Sequence, residues 1–174
     1  MEKTFIMTAF GKDRPGIVAD LAEVVYESGC NLDDSIMTRL ADEFAHILLL
    51  SGQGEDLEER LHKKCRRLEI EKNLSAFVRP VEVKQVDSRP GNIHTIRVEG
   101  MDQAGIVYKI SKFLAENQIN IENLTTKKTF SAHYGSAIYK MKIEVLMPDT
   151  ISLDDTEEGL VRIENDLNVD ITIS

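Results

Sequence analysis

The chain has 174 residues, 42% hydrophobic and 29% charged, with a formal net charge of −9. That length suits two domains of about 85 residues, each near the lower end of sizes that fold alone. The acidic balance argues against a direct nucleic-acid binder, because neutralising phosphates takes a surplus of Lys and Arg on one face.

An ordinary apolar fraction makes the chain globular. No apolar run approaches the roughly 20 residues of a membrane span, and Met1-Glu2-Lys3-Thr4-Phe5 has no apolar signal core. A cytoplasmic location away from any membrane is expected. Cys30 and Cys65 have no metal-like spacing and are expected as thiols, with Cys65 in phase with Leu57, Leu61 and Leu68 as core.

In chain order, Thr4 to Phe10 is an apolar, β-branched and aromatic stretch ending at Gly11, which predicts a buried strand. Ile17, Val18, Leu21, Ala22 and Val25 then recur at helical spacing, and the helix stops near Gly29. Two extended segments follow, about Leu32 to Leu40 and Glu43 to Ser51, with a hairpin step at Ala41-Asp42. A second helix runs from about Asp56 to Lys72 with Leu57, Leu61, Cys65 and Leu68 inward, and a strand from Phe77 to Val86 closes the half. On that helix Lys63, Lys64, Arg66 and Arg67 alternate with Glu58, Glu59, Glu69 and Glu71, the pattern of a solvated face with ion pairs.

The second half repeats the first. Gly11-Lys12-Asp13-Arg14-Pro15-Gly16-Ile17-Val18 lies over Gly100-Met101-Asp102-Gln103-Ala104-Gly105-Ile106-Val107 at an offset of 89, and the match continues to Asn31 over Asn120 and Leu32 over Ile121. The repeat predicts a strand over Asn92 to Glu99, a helix carrying Ile106, Val107, Ile110, Phe113 and Leu114 that stops near Asn117, and strands near Ile119 to Phe130 and Ser136 to Met147. A helix over Leu153 to Leu167 and a strand over Val169 to Ile173 complete it. The order β-α-β-β-α-β, twice, implies an α+β fold of two ferredoxin-like domains, each a four-stranded antiparallel sheet with two helices on one face. The expected domains are 1–87 and 92–174, joined by a Pro-Gly linker at 88–91.

Asp13-Arg14-Pro15-Gly16 lies between the first strand and helix. Pro there suits an early helical position, and Gly permits close approach of a ligand to the backbone. Free N–H groups at a positive helix end can receive a carboxylate. Asp13 is open to two roles, capping the helix or binding the amino group of a zwitterion.

With Gly-x-Asp-Arg-Pro-Gly-Ile-Val after a strand, an amphipathic helix and then Gly29-Cys30-Asn31-Leu32, the chain resembles the ACT domain. As a tandem pair it resembles the glycine cleavage system transcriptional repressor family, in which Asn-[Ile/Leu]-x-Asp-Ser follows the first helix; Asn31-Leu32-Asp33-Asp34-Ser35 stands here. The resemblance implies a non-catalytic regulator that holds a small amino acid, glycine or serine, between the strand-helix loop of one module and a neighbouring module. The implied ligand positions are Asp13, Arg14, Pro15, Gly16, Ile17 and Val18, with Asn31 and Leu32 across the pocket. In the second copy they are Asp102, Gln103, Ala104, Gly105, Ile106 and Val107, with Asn120 and Ile121. Gln103-Ala104 departs from Arg-Pro, so the second site is degenerate or serves an interface. The resemblance also implies action through a protein partner, such as a transcriptional activator, rather than on DNA.

Against an enzyme, His46, His62, His94 and His133 show no metal-ligand spacing and neither Cys has a His near it in sequence. Gly52-Gln53-Gly54 lacks the further glycines of a nucleotide loop. Asp33-Asp34 and Asp154-Asp155 read as a strand start and a helix start rather than a cation site, so no metal or cofactor is expected. His46, between Ala45 and Ile47, reads as a satisfied structural side chain. The alternative function is a ligand-free interaction module: exposed strand edges need covering, and a homodimer of tandem units would do so.

Overall fold

The computed structural model describes residues 2–82, 91–130 and 137–174. The chain divides into two compact units, Met1–Val86 and Asp87–Ser174. The expected linker, apart from Gly91, lies outside the described residues, as do His133, Ser136 and positions 83–86 of the expected closing strand.

The first unit runs β1 Glu2–Lys12, α1 Ile17–Glu27, β2 Cys30–Leu40, β3 Glu43–Gln53, α2 Leu57–Lys72 and β4 Ser75–Val81. The second runs β5 Asn92–Met101, α3 Ile106–Glu116, β6 Asn120–Phe130, β7 Ala137–Met147, α4 Leu153–Leu167 and β8 Val169–Ile173. Each forms one sheet, in the order β2-β3-β1-β4 and β6-β7-β5-β8, with every pairing antiparallel. The expected tandem of ferredoxin-like units is what the chain forms.

Alternation along the strands decides what is buried. On β1, Phe5, Met7 and Ala9 turn inward; on β3, Phe44, His46, Leu48 and Leu50 do the same. Ile17 and Leu21 of α1 and Leu57, Leu61 and Cys65 of α2 share that core. Each buried Leu or Ile contributes about 1.5–3 kcal/mol. Ile96, Val98, Met141, Ile143 and Val145 form the corresponding layer of the second unit, against Ile110, Leu114, Leu160 and Leu167.

The edge strands β2 and β6 each carry a one-residue irregularity, at Asp33 and at Glu122. The bulges bend the edge and limit its use as a pairing template. The hairpin between β2 and β3 turns through Ala41 and Asp42, with Ala41 at φ 57°. Asn73 and Asn168 end α2 and α4 at φ 52° and 50°, the left-handed conformation in which Asn is tolerated. Ser152 caps α4, accepting the Asp155 N–H at 3.4 Å, so Asp154 and Asp155 stand in a first turn that favours negative charge.

His46 corrects one expectation. It is buried as a structural side chain, but among the described residues its Nδ1 has no hydrogen-bond partner, so it is not satisfied there. Its ring packs edge-on to Phe44, with centroids 5.8 Å apart.

Candidate functional site

The strand-helix loops owe their residues to local geometry. Gly11 ends the inward row of β1 where the chain entering β4 passes close: a Cβ here would stand 3.2 Å from Leu74 Cδ1 and 3.3 Å from the Asn73 carbonyl oxygen. Gly100 is tighter, with a Cβ 2.6 Å from Val169 Cγ1. Glycine is the residue that fits both places.

Two residues on, the Asp13 backbone N–H donates to the Asp42 carbonyl at 2.8 Å, and its carboxylate accepts from Arg39 Nη1 at 3.4 Å. In the second unit the Asp102 N–H donates to Ala137 O at 3.2 Å, and Lys128 Nζ meets the carboxylate at 2.5 Å. Arg39 and Lys128 are themselves 89 apart. The repeated Asp thus ties the loop to the edge strand through a repeated cation.

Arg14 to Ile17 form a turn in which the Ile17 N–H reaches the Arg14 carbonyl at 3.4 Å and Gly16 takes φ 87°, ψ −5°. These are the values of the third residue of a type II turn, where Gly is favoured, with Pro favoured just before it. Gly105 repeats the conformation at φ 98°. Two expectations are corrected here. Gly16, not Asp13, is the N-cap of α1 and no side chain caps it, because the turn holds Asp13 back toward the sheet; for the same reason Pro15 precedes the helix instead of occupying its first turn.

A helix that starts without a side-chain cap presents its first N–H groups outward, where a carboxylate can accept from them. Val18 and Val107, 45% and 38% exposed, flank these starts, whereas the Ile17 and Ile106 side chains are buried in the cores. Arg14 is committed nearby: its Nη2 donates to Asp20 Oδ2 at 2.5 Å, and Lys72 approaches the other oxygen at 3.4 Å. The hydrogen bond from Arg14, aided by Lys72 and opposed by partial burial, holds the Asp20 carboxyl below the usual range. Gln103 does something else, donating its Nε2 hydrogen to the Leu167 carbonyl at the end of α4.

Asn31 and Leu32 are not beside the loop of their own unit. Asn31 pairs with Ser51, which pairs with Thr4, whereas the loop springs from the end of β1 where Gly11 faces Phe44. From Thr4 to Gly11 is about 23 Å at the rise of a strand. Asn31 instead donates to Asp33 Oδ1 at 2.8 Å, and Ser51 Oγ donates to the same oxygen at 2.9 Å. Asn120 and Ile121 are likewise remote from Asp102, with Asn120 donating to Glu122 at 2.5 Å.

The groove between α1 and α2, of about 120 Å³, is lined by ion-paired side chains. Lys64 pairs with Glu27, and Arg67 binds Glu71 at 3.1 Å. Among the described residues no group of three His, Cys, Asp or Glu is arranged to hold a metal, and no helix is long and apolar enough to cross a membrane.

Comparison with known proteins places this arrangement. The ACT domain profile matches residues 3–79. A UPF0237 protein of Methanopyrus kandleri is 35% identical over 71 residues, 38% of this chain and 79% of that protein. The chain belongs to the ACT-domain family. This ACT-domain protein is also similar to the glycine cleavage system transcriptional repressor of Escherichia coli, at 25% identity over 175 residues that span 97% of the chain and 88% of the relative. Among solved structures, an unknown protein from Galdieria sulphuraria superimposes with a TM-score of 0.83 at 25% identity, covering 100% of this chain and 98% of the other.

Proposed function

We propose that this ACT-domain protein is a non-catalytic regulator that responds to a small amino acid, glycine or serine, and acts through a protein partner on the expression of glycine cleavage. The observation that carries the reading is the relation to the glycine cleavage repressor along nearly the whole chain, both units included. Supporting it are two helix starts, at Ile17 and Ile106, whose N–H groups are not occupied by a capping side chain. An α-carboxylate fits such a start. Ile17 and Ile106 would take part by setting the start of the helix, and Val18 and Val107 through their backbone N–H groups and side chains. A wall made by Asn31 and Leu32, or by Asn120 and Ile121, has to come from another module, since these residues lie at the far end of their own sheets. A cytoplasmic location belongs to the same proposal.

A ligand-free interaction module is the second reading. It is favoured by a specific observation: Gly11, Asp13 and Gly16 each have a structural duty that recurs in the second copy and involves no ligand.

Thermal unfolding with a panel of amino acids separates the two, because a ligand at 100 times its dissociation constant adds about 2.7 kcal/mol of stability. Glycine or serine should raise the Tm of the wild type. Val18→Trp and Val107→Trp should each remove that rise at their own site while leaving the ligand-free Tm unchanged, since both side chains already face solvent. No response to any amino acid at millimolar concentration would leave the interaction module as the function.

A further inference from the structure

In the middle of the sheet face that turns away from the helices the two copies of the repeat carry opposite chemistry, although the second unit keeps apolar residues at the ends of that face, Ile93 with Leu146 and Met101 with Ile138. In the first unit that face presents Ile6 and Phe10 of β1, Ile36 of β2, Ile47 and Leu49 of β3 and Phe77 of β4. Ile36, Ile47 and Phe77 are 72%, 49% and 62% exposed, and the Phe10 and Phe77 rings stack with centroids 6.0 Å apart. The strand registers put Thr95, Glu99, Thr125, Lys142, Glu144 and Thr172 at the same places in the second unit. There the face is closed by its own ion pairs, Lys142 with Glu144 at 2.6 Å and Lys140 with Glu99 at 2.9 Å. One fold therefore tolerates either surface, and the apolar rows are not a requirement of folding. Contiguous apolar surface of this kind marks a contact site.

The charges at the margins identify what it contacts. Asp34, Leu49, Ile6 and Arg79 cross β2, β3, β1 and β4 in one row, acidic at one end and basic at the other. In a second row Glu43 on β3 stands opposite Lys12 on β1. A two-fold axis running along the strands between β1 and β3 would lay β2 of one copy over β4 of another, and β3 over β1. Asp34 would then meet Arg79 of the second copy, Glu43 would meet its Lys12, and the apolar rows would close between them. Two sheets packed this way sit about 10 Å apart with their strands within about 30° of each other.

We propose that the outer face of the first unit's sheet packs against the same face of a second copy of this chain, as an isologous dimer. Four strands about 4.8 Å apart and some seven residues long offer about 450 Å² per copy, or about 900 Å² in all, in the range of weak, transient interfaces. The dimer is therefore one that dissociates in the micromolar range, not a permanent one.

Sedimentation velocity of the full chain from about 1 to 100 μM, spanning that range, tests the proposal. A monomer-dimer equilibrium is expected. Ile47→Lys and Phe77→Thr, which install the residues that the second unit carries at these places, should each weaken it at least about tenfold, as loss of a central apolar contact does. Circular dichroism should be unchanged by either. Asp34→Arg and Arg79→Asp should each weaken dimerisation, and the double variant should restore it. A chain that stays monomeric throughout, a dimer indifferent to Ile47→Lys, or a double swap that fails to recover would each overturn the proposal.

Discussion

His46 stands on the inner face of β3, opposite Ala9, with its Nδ1 lacking a partner among the described residues. Burial lowers its pKa, because a protonated imidazole there would have to leave water with nothing to compensate. The unfolded chain takes up the proton near the ordinary value of about 6.5 and the folded chain only at lower pH. Stability from this group is fully present above the unfolded pKa and falls as the pH drops toward the folded one. Met141 occupies the same place in the second unit, as its pairing with Val98 shows, and is buried there. His46→Met should therefore fold and should flatten the loss of stability between pH 7 and about 5, read as the urea midpoint at each pH. A variant that keeps the full acid-induced drop would show that His46 is not its source. The sequence pointed to a structural role for this residue but not to its missing partner, since a hydrogen bond from a strand residue depends on what lies across the core. Asp13 was legible only in part for a related reason: its partner Arg39 is 26 residues away. The repeat held the signal, because Asp102 and Lys128 keep the same spacing.

At the level of elements, periodicity located every helix and strand among the described residues, and the bounds of α4 and β8 agree with those read from the sequence. Strands β1, β2, β3 and β5 are longer than their apolar patterns, whereas β4 is displaced, starting two residues before the expected Phe77 and ending at Val81, and β6 starts one residue after Ile119. β1 extends from Glu2 to Lys12 because its pairing with β3 continues through Glu2, Lys3, Gly11 and Lys12, beyond the Thr4–Phe10 stretch that is paired on both sides. What periodicity could not supply is how closely neighbouring elements pass. Gly11 and Gly100 look equivalent in sequence, yet a Cβ at Gly100 would fall 2.9 Å from Val169 Cβ and 3.1 Å from its Cα, whereas at Gly11 the nearest atom is the mobile end of Leu74. Gly100→Ala must push the start of β8 off β5, but Gly11→Ala needs only a few tenths of an ångström from the Leu74 side chain and the Asn73 carbonyl. Overpacking of this kind costs about 1–3 kcal/mol, so the Gly100 variant should lie at or above the top of that range and the Gly11 variant near its bottom. Denaturant midpoints of the two single variants check the order, and equal losses would contradict it.

Across the whole molecule, the net charge of −9 has a structural counterpart. Basic side chains that could have formed a phosphate-binding surface are engaged by acids: Lys64 by Glu27, Arg67 by Glu71, Lys72 by Asp20, Lys109 by Asp166. Of the basic run on α2, Lys64 and Arg67 stand in such pairs, Arg67 with Glu71 of its own helix as the alternation in the sequence implied and Lys64 with Glu27 of α1. Binding to duplex DNA would have to break such pairs and bring further acids near the phosphates, with no excess of cations to release condensed counterions in return. The proposed function therefore calls for action through protein contacts instead of on DNA. The full chain should therefore leave the electrophoretic mobility of a DNA duplex unchanged at about 10 μM protein and about 150 mM salt, conditions under which nonspecific cationic binders with dissociation constants of about 1–100 μM form complexes. A shifted band that weakens as salt rises would place a cationic surface on this chain and remove the need for a protein partner. An unshifted duplex directs the search to proteins that the chain retains, with and without glycine or serine.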